Sequence, residues 1–112
     1  MILIGDIGNT QSKFAYYNKG NNKIFKLKNF NTSNIEKNKD FTKFVNKTKF
    51  TNAVITSVVP KVFLKIKSVL KKKNIKCYEI LDKKLKNPIK IKIKKPKKLG
   101  SDRFANVFAA NQ

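Results

Sequence analysis

The sequence predicts an α/β fold, a mixed sheet in which an antiparallel meander is extended by a parallel strand–helix–strand unit. Three observations predict it. Residues 2–7, 13–18 and 23–28 are apolar or alternating runs joined by short turn-forming links. Residues 52–59, Asn-Ala-Val-Ile-Thr-Ser-Val-Val, form a buried-strand run that leads straight into Pro60. Residues 75–81 return as a strand, and strand, helix, strand with short links implies a right-handed crossover and a parallel pair.

The first run, Ile2-Leu3-Ile4-Gly5, ends in Asp6-Ile7-Gly8-Asn9-Thr10 and is followed by Gln11-Ser12-Lys13-Phe14. This reads as strand, tight turn, strand, with Gly8 and Asn9 expected to supply positive φ. The turn carries chemistry. Asp6 lies close to a glycine, where backbone can approach a ligand. Asn9, Thr10, Ser12 and Lys13 add amide, hydroxyl and ammonium groups. Such a set suits a polyphosphate, with the acid on Mg²⁺, polar groups on oxygens and the lysine on the charge. Taken alone, such a motif is more often just an ordinary polar hairpin turn.

The next turn is Asn18-Lys19-Gly20-Asn21-Asn22, and Lys23 to Lys28 alternates as a third strand. Ser33 with Glu36 is a capping-box pattern, predicting a helix from there to about residue 48 with Ile35, Phe41, Phe44 and Val45 on its apolar face. Pro60 suits the first position of a helix over 60–73, where Val62, Phe63, Ile66, Val69 and Leu70 recur at helical spacing. Ile89 to Lys94 alternates strictly with lysine. This reads as an edge strand protected by outward charge, or as a polyanion-binding stripe. Ser101 then opens an Ala-rich helix with Phe104, Val107 and Phe108 on one face, and Asp102 in its first turn suits the helix dipole. The chain stops inside that helix, as a piece of a longer protein would.

Composition narrows the function classes. At 112 residues the chain holds one modest domain. It has 27 basic and 6 acidic residues, net +21, a balance that points towards nucleic acid or an anionic surface. Arg103 is the only arginine, however, and readers of bases and phosphates favour its bidentate fork. Abundant Lys, Asn, Ile and Phe match the coding bias of an A/T-rich genome, so nucleic acid is not the expected partner. Absence of histidine removes His bases, His-paired nucleophiles and His metal sites. Cys77 stands alone, which excludes a disulfide framework and reads as a small core residue. No run approaches the roughly 20 apolar residues of a membrane span, so a soluble protein of a reducing compartment is expected.

Four features occur in one order: Asp6-Ile7-Gly8-Asn9-Thr10 with Lys13, Thr56-Ser57-Val58-Val59-Pro60, Pro96 before Leu99-Gly100, and Ser101-Asp102-Arg103. This combination resembles the type III pantothenate kinases, members of the superfamily of sugar kinases and actin-type ATPases. The resemblance runs from residue 2 to the end. It implies an RNase H-like N-terminal lobe and phosphorylation of pantothenate by ATP, the first step of coenzyme A synthesis. It implies that the loop Asp6, Ile7, Gly8, Asn9, Thr10, Gln11, Ser12 and Lys13 binds phosphate, with Asp6 on the metal. It implies that Gly100, Ser101, Asp102 and Arg103 bind pantothenate, with Asp102 the proton acceptor. Mg²⁺, a monovalent cation (K⁺ or NH₄⁺), a homodimer and a cytoplasmic location also follow from it. An Asp base suits a chain without histidine, and Arg103 suits pairing with substrate or migrating charge.

The sequence departs from the family at two points. Ile93 stands where the family has a substrate-contacting Tyr. The family's second lobe, with its Asp-Phe-Gly-Thr-type motif and adenosine-binding segment, has no counterpart, so residues 1–112 correspond to the first lobe of two and are expected to be inactive alone. Two other readings stand beside this one: a non-catalytic relative of the accessory transcription factor kind, associated with nucleic acid, and an inactive remnant.

Overall fold

The computed structural model describes residues 1–80. The expected strand at 89–94, the helix after Ser101, Ile93 and the Gly100–Arg103 set lie outside them.

Five strands form one mixed sheet in the order β3-β2-β1-β4-β5. Strands β1 (Ile2–Ile7), β2 (Gln11–Asn18) and β3 (Lys23–Asn31) make the antiparallel meander. Strand β4 (Asn52–Ser57) pairs in parallel with β1 on one side and with β5 (Lys76–Glu79) on the other. Helix α2 (Pro60–Lys72) makes the crossover between them. Pro60 occupies its first turn, and Phe63, Ile66 and Leu70 face inward as their spacing requires. The helix ends on Asn74 in the left-handed region (φ 61°), with Ile75 N–H reaching back to Leu70 O at 3.0 Å and Asn74 N–H to Lys71 O at 3.0 Å. This is a Schellman closure with asparagine in the usual glycine place.

The segment after β3 departs from the expected single helix. Ser33 caps nothing; Asn34 takes a left-handed conformation (φ 54°) and a short 3-10 turn follows at Ile35–Lys37. The chain then extends at Asn38 (ψ 121°), and helix α1 (Lys39–Asn46) begins there. Asn38 Oδ1 accepts from Asp40 N–H at 2.8 Å and Phe41 N–H at 3.1 Å. The extended residue breaks the helical hydrogen-bond run, so Asn38 replaces Ser33 as the cap. Glu36, freed from the capping role, pairs with Lys65 of α2 at 3.7 Å. The apolar face survives the change: Ile35, Phe41, Phe44 and Val45 are all buried.

The helices pack on one face of the sheet, against Leu3, Ile7, Phe14, Tyr16, Ala53 and Ile55. Aromatic rings dominate this layer. Phe14 meets Phe41 at 4.9 Å between centroids, and Tyr16 meets Phe44 at 4.6 Å and Phe50 at 5.0 Å. Tyr16 also donates its hydroxyl hydrogen to Phe44 O, and burial raises its pKa. Gly5 lies directly opposite Phe14, and the ring fills the place of a side chain. A Cβ there would sit 2.4 Å from Phe14 Cε1.

Cys77 is half-buried against the same core, close to its expected role. Burial pushes its thiol up to about 12; Lys67 opposes that and Glu79 adds to it. Among the described residues no helix is long and apolar enough to cross a membrane.

Two outcomes follow. Gly5→Ala should cost about 1–3 kcal/mol in urea unfolding, because the added methyl has no room beside Phe14. Cys77 should be alkylated slowly by iodoacetamide at pH 8 and rapidly in denaturant. Its raised folded pKa favours the protonated thiol, so this contribution to stability is full below about pH 8.5 and declines as pH rises towards 12.

Candidate functional site

The register of β1 with its two neighbours builds the site. Asp6 is paired with Lys13 of β2 and with Thr56 of β4, so the three side chains form a row across one sheet face. Ile7, the next residue, points to the helix-covered face and is fully buried. Asp6 is itself 7% exposed, and its Oδ1 accepts a 2.6 Å hydrogen bond from Thr56 Oγ1. Lys13 is half-buried beside it.

The loop after β1 lies at the carboxyl end of the parallel pair β1 and β4, the end where α/β sheets bind ligands. It is closed by Gly8 N–H donating to Gln11 O at 3.0 Å. Neither Gly8 nor Asn9 adopts the left-handed φ that favours glycine, which corrects the expectation from sequence. Gly8 is needed for closeness instead: a Cβ would lie 2.7 Å from Gln11 O. Asn9, Thr10 and Gln11 are exposed around this turn. Gln11 Nε2 donates to Asn31 Oδ1 at 2.7 Å.

Ser12 is fully buried on the helix side, and its hydroxyl lies 2.7 Å from Thr32 Oγ1. Thr32 Oγ1 donates to Gly8 O at 2.8 Å, and Thr32 N–H donates to Thr10 O at 2.8 Å. Since the one Thr32 hydroxyl hydrogen goes to Gly8, Ser12 is the donor in its pair with Thr32. Ser12 and Thr32 thus clamp the loop from beneath. Thr32 escaped the sequence reading because it is remote from the motif; a buried threonine just after an edge strand has no local signature. Thr56 was legible only as part of the 56–60 motif.

At the mouth, Val58 N–H donates to Ile7 O at 3.0 Å, and Ser57 Oγ takes Val59 N–H at 2.9 Å, so the start of α2 is tied to the end of β1. Among the described residues no three acidic, Cys or His side chains gather as a metal cage. A lone buried carboxylate is nonetheless the donor set Mg²⁺ uses when phosphate oxygens and water supply the other positions. Asp6 fits that group.

The sheet order, the mixed pairing and a turn of this build after β1 define the N-terminal lobe of the actin-like ATPase class. Comparison narrows the class. The type III pantothenate kinase family model matches residues 2–112, and the chain belongs to that family. It is 38% identical over 114 residues to the type III pantothenate kinase of Pelagibacter ubique, covering 97% of this chain and 45% of that protein. It is 37% identical over 116 residues to that of Persephonella marina, covering 97% and 46%. The chain therefore spans about half the length of the curated relatives it matches.

Thr32→Val should destabilise by about 1–3 kcal/mol, the cost of leaving Gly8 O and Ser12 without their buried partner. It should also speed hydrogen exchange at the Gly8 amide. Exchange at the parental rate would mean that Thr32 does not hold the loop.

Proposed function

We propose that residues 1–112 form the phosphate-binding first lobe of a two-lobe kinase that phosphorylates pantothenate from ATP. The observation that carries this reading is the row Lys13–Asp6–Thr56 at the mouth of the closed Gly8–Gln11 turn. Lys13 supplies positive charge to phosphate oxygens. Asn9 and Thr10 supply exposed polar groups at the same turn. Asp6, held by Thr56, would hold Mg²⁺, which supplies charge neutralisation on the phosphates when bound. Ser12 contributes by fixing the loop, since its side chain is committed to Thr32.

Gly100, Ser101, Asp102 and Arg103 form the pantothenate side of the proposal. Asp102 accepts the proton of the primary hydroxyl as it attacks the γ-phosphate, and Arg103 pairs with substrate or migrating charge. The adenosine-binding half of the cleft, a monovalent cation site and a homodimer belong to the proposed full-length enzyme, acting in the cytoplasm. Support comes from the family membership and from the residue-by-residue match to its two motifs.

The test is a coupled assay of pantothenate phosphorylation. Residues 1–112 alone should turn over near background. In a protein that carries both lobes, Asp102→Asn should lower kcat by about 10²–10⁴-fold with unchanged circular dichroism. Robust turnover that survives Asp102→Asn would overturn the assignment of the base.

A further inference from the structure

Lysines of the described part line two clefts, Lys67, Lys71 and Lys76 at the end of α2 and a larger set between β3 and α1. Four converge in the latter. Lys26 and Lys28 of β3 face Lys43 and Lys47, one turn apart on α1 and at its end, across a cleft of about 390 Å³. Leu27 and Phe44 give it apolar walls. Asp40 is the one carboxylate among its lining residues, which leaves an excess of three positive charges.

The backbone is bent to produce this arrangement. Between Phe14 and Tyr16 the β2–β3 register slips, with Phe14 opposite Lys28 and Tyr16 opposite Phe25. One extra residue is therefore looped into β3, and Lys26 sits there in the left-handed region at φ 54°. Glycine would adopt that conformation without strain; lysine does so at a cost. The bulge resets the alternation of the strand. Phe25 shares a face with Tyr16, and after the bulge Lys28 and Phe30 share that same face. Without the extra residue, Lys28 would project from the other side of the sheet, away from α1.

The ammonium groups are also placed by rings. Lys26 Nζ lies 5.6 Å from the Tyr16 centroid and Lys28 Nζ 5.5 Å from that of Phe30. The Tyr16 hydroxyl, bonded to Phe44 O, ties the sheet to α1 beneath the cleft. Protection of an edge strand explains outward lysines on β3. It accommodates the bulge as well, but not the matching pair on α1, a like-charge pair at a spacing that disfavours the helix.

We propose that the β3–α1 cleft is a second anion site, taking a small molecule with two or more condensed phosphoryl groups. Its volume lies within the range of small-ligand pockets. It is on the helix-covered face, whereas Asp6 and Lys13 share the opposite face. The two sites can therefore be told apart.

The test is titration of inorganic tripolyphosphate into the ¹⁵N-labelled 112-residue chain, read by amide shifts. Shifts are expected at 26–28 and 43–47, and they should persist in Lys13→Ala. Lys28→Glu and Lys43→Glu should each weaken this binding about tenfold, as loss of a charge-assisted contact does. Lys26→Gly, which suits the bulge and keeps the fold, should weaken it as well. Lys61→Glu on α2 should leave it within about twofold, as a remote screened charge does. Shifts confined to 8–13, equal weakening by Lys61→Glu, or orthophosphate binding as tightly would overturn the proposal. So would an oligonucleotide that binds more tightly and shifts amides along α2 as well, because the surface would then be a nucleic-acid one.

Discussion

Strand β1 is hydrogen-bonded along both edges, antiparallel to β2 and parallel to β4, and the rest of the lobe depends on this double register. It places Gly5 under the Phe14 ring, which lets the aromatic layer close onto the sheet. It sets Asp6 between Lys13 and Thr56. It also brings the ends of two parallel strands to one edge, where the Gly8–Gln11 turn and the start of α2 meet. A slip of one residue would turn Asp6 into the aromatic core and Ile7 out of it, exchanging a satisfied carboxylate for an unsatisfied one. The apolar pattern of β1 and the polar chemistry at its end are therefore two consequences of one pairing.

The loop is rigid for reasons that lie outside it. Its own closure is a single backbone hydrogen bond, Gly8 to Gln11. The Thr32 hydroxyl and amide bind two of its carbonyls, and Ser12 completes the chain of hydroxyls. Each such bond contributes only about 1 kcal/mol net, but a buried carbonyl left alone costs more, so the network holds mainly by penalising its own opening. Thr32 lies just where β3 ends and the chain turns towards α1. The same departure that spoils a helix starting at Ser33 thus delivers the clamp to the loop.

The high lysine content has no single meaning. At β3 the backbone departs from its regular course in a way that gathers charge against α1. Aromatic rings from the core reach this point and seat the amines, so the charged cleft and the hydrophobic layer share Tyr16, Phe30 and Phe44.

Much of the lobe was legible in the sequence because its signals are local. Strands at 2–7, 52–57 and 76–79, Pro60 opening α2 and its buried Phe63, Ile66 and Leu70 follow from periodicity and propensity within a few residues. Asp6, Gly8 and Lys13 stood out because a motif concentrates them in one turn. Other features required the fold. The capping pattern at Ser33 lost to Asn34 and Asn38, because the chain had to leave the sheet edge first. Gly8 proved to be a matter of close approach and not of φ, which only the position of Gln11 O could decide. Ser12 reads as a ligand in the motif and serves as a strut in the structure, because alternation places it on the face opposite Lys13. By itself the sequence determined the five strands, helix α2 and where the polar turn falls, since these depend on neighbours along the chain. Tertiary structure alone decided that β4 inserts beside β1, that Thr56 and Thr32 reach Asp6 and the loop, and that a bulge turns Lys28 towards α1. Those outcomes depend on contacts between residues some nine to fifty positions apart, which no local pattern encodes.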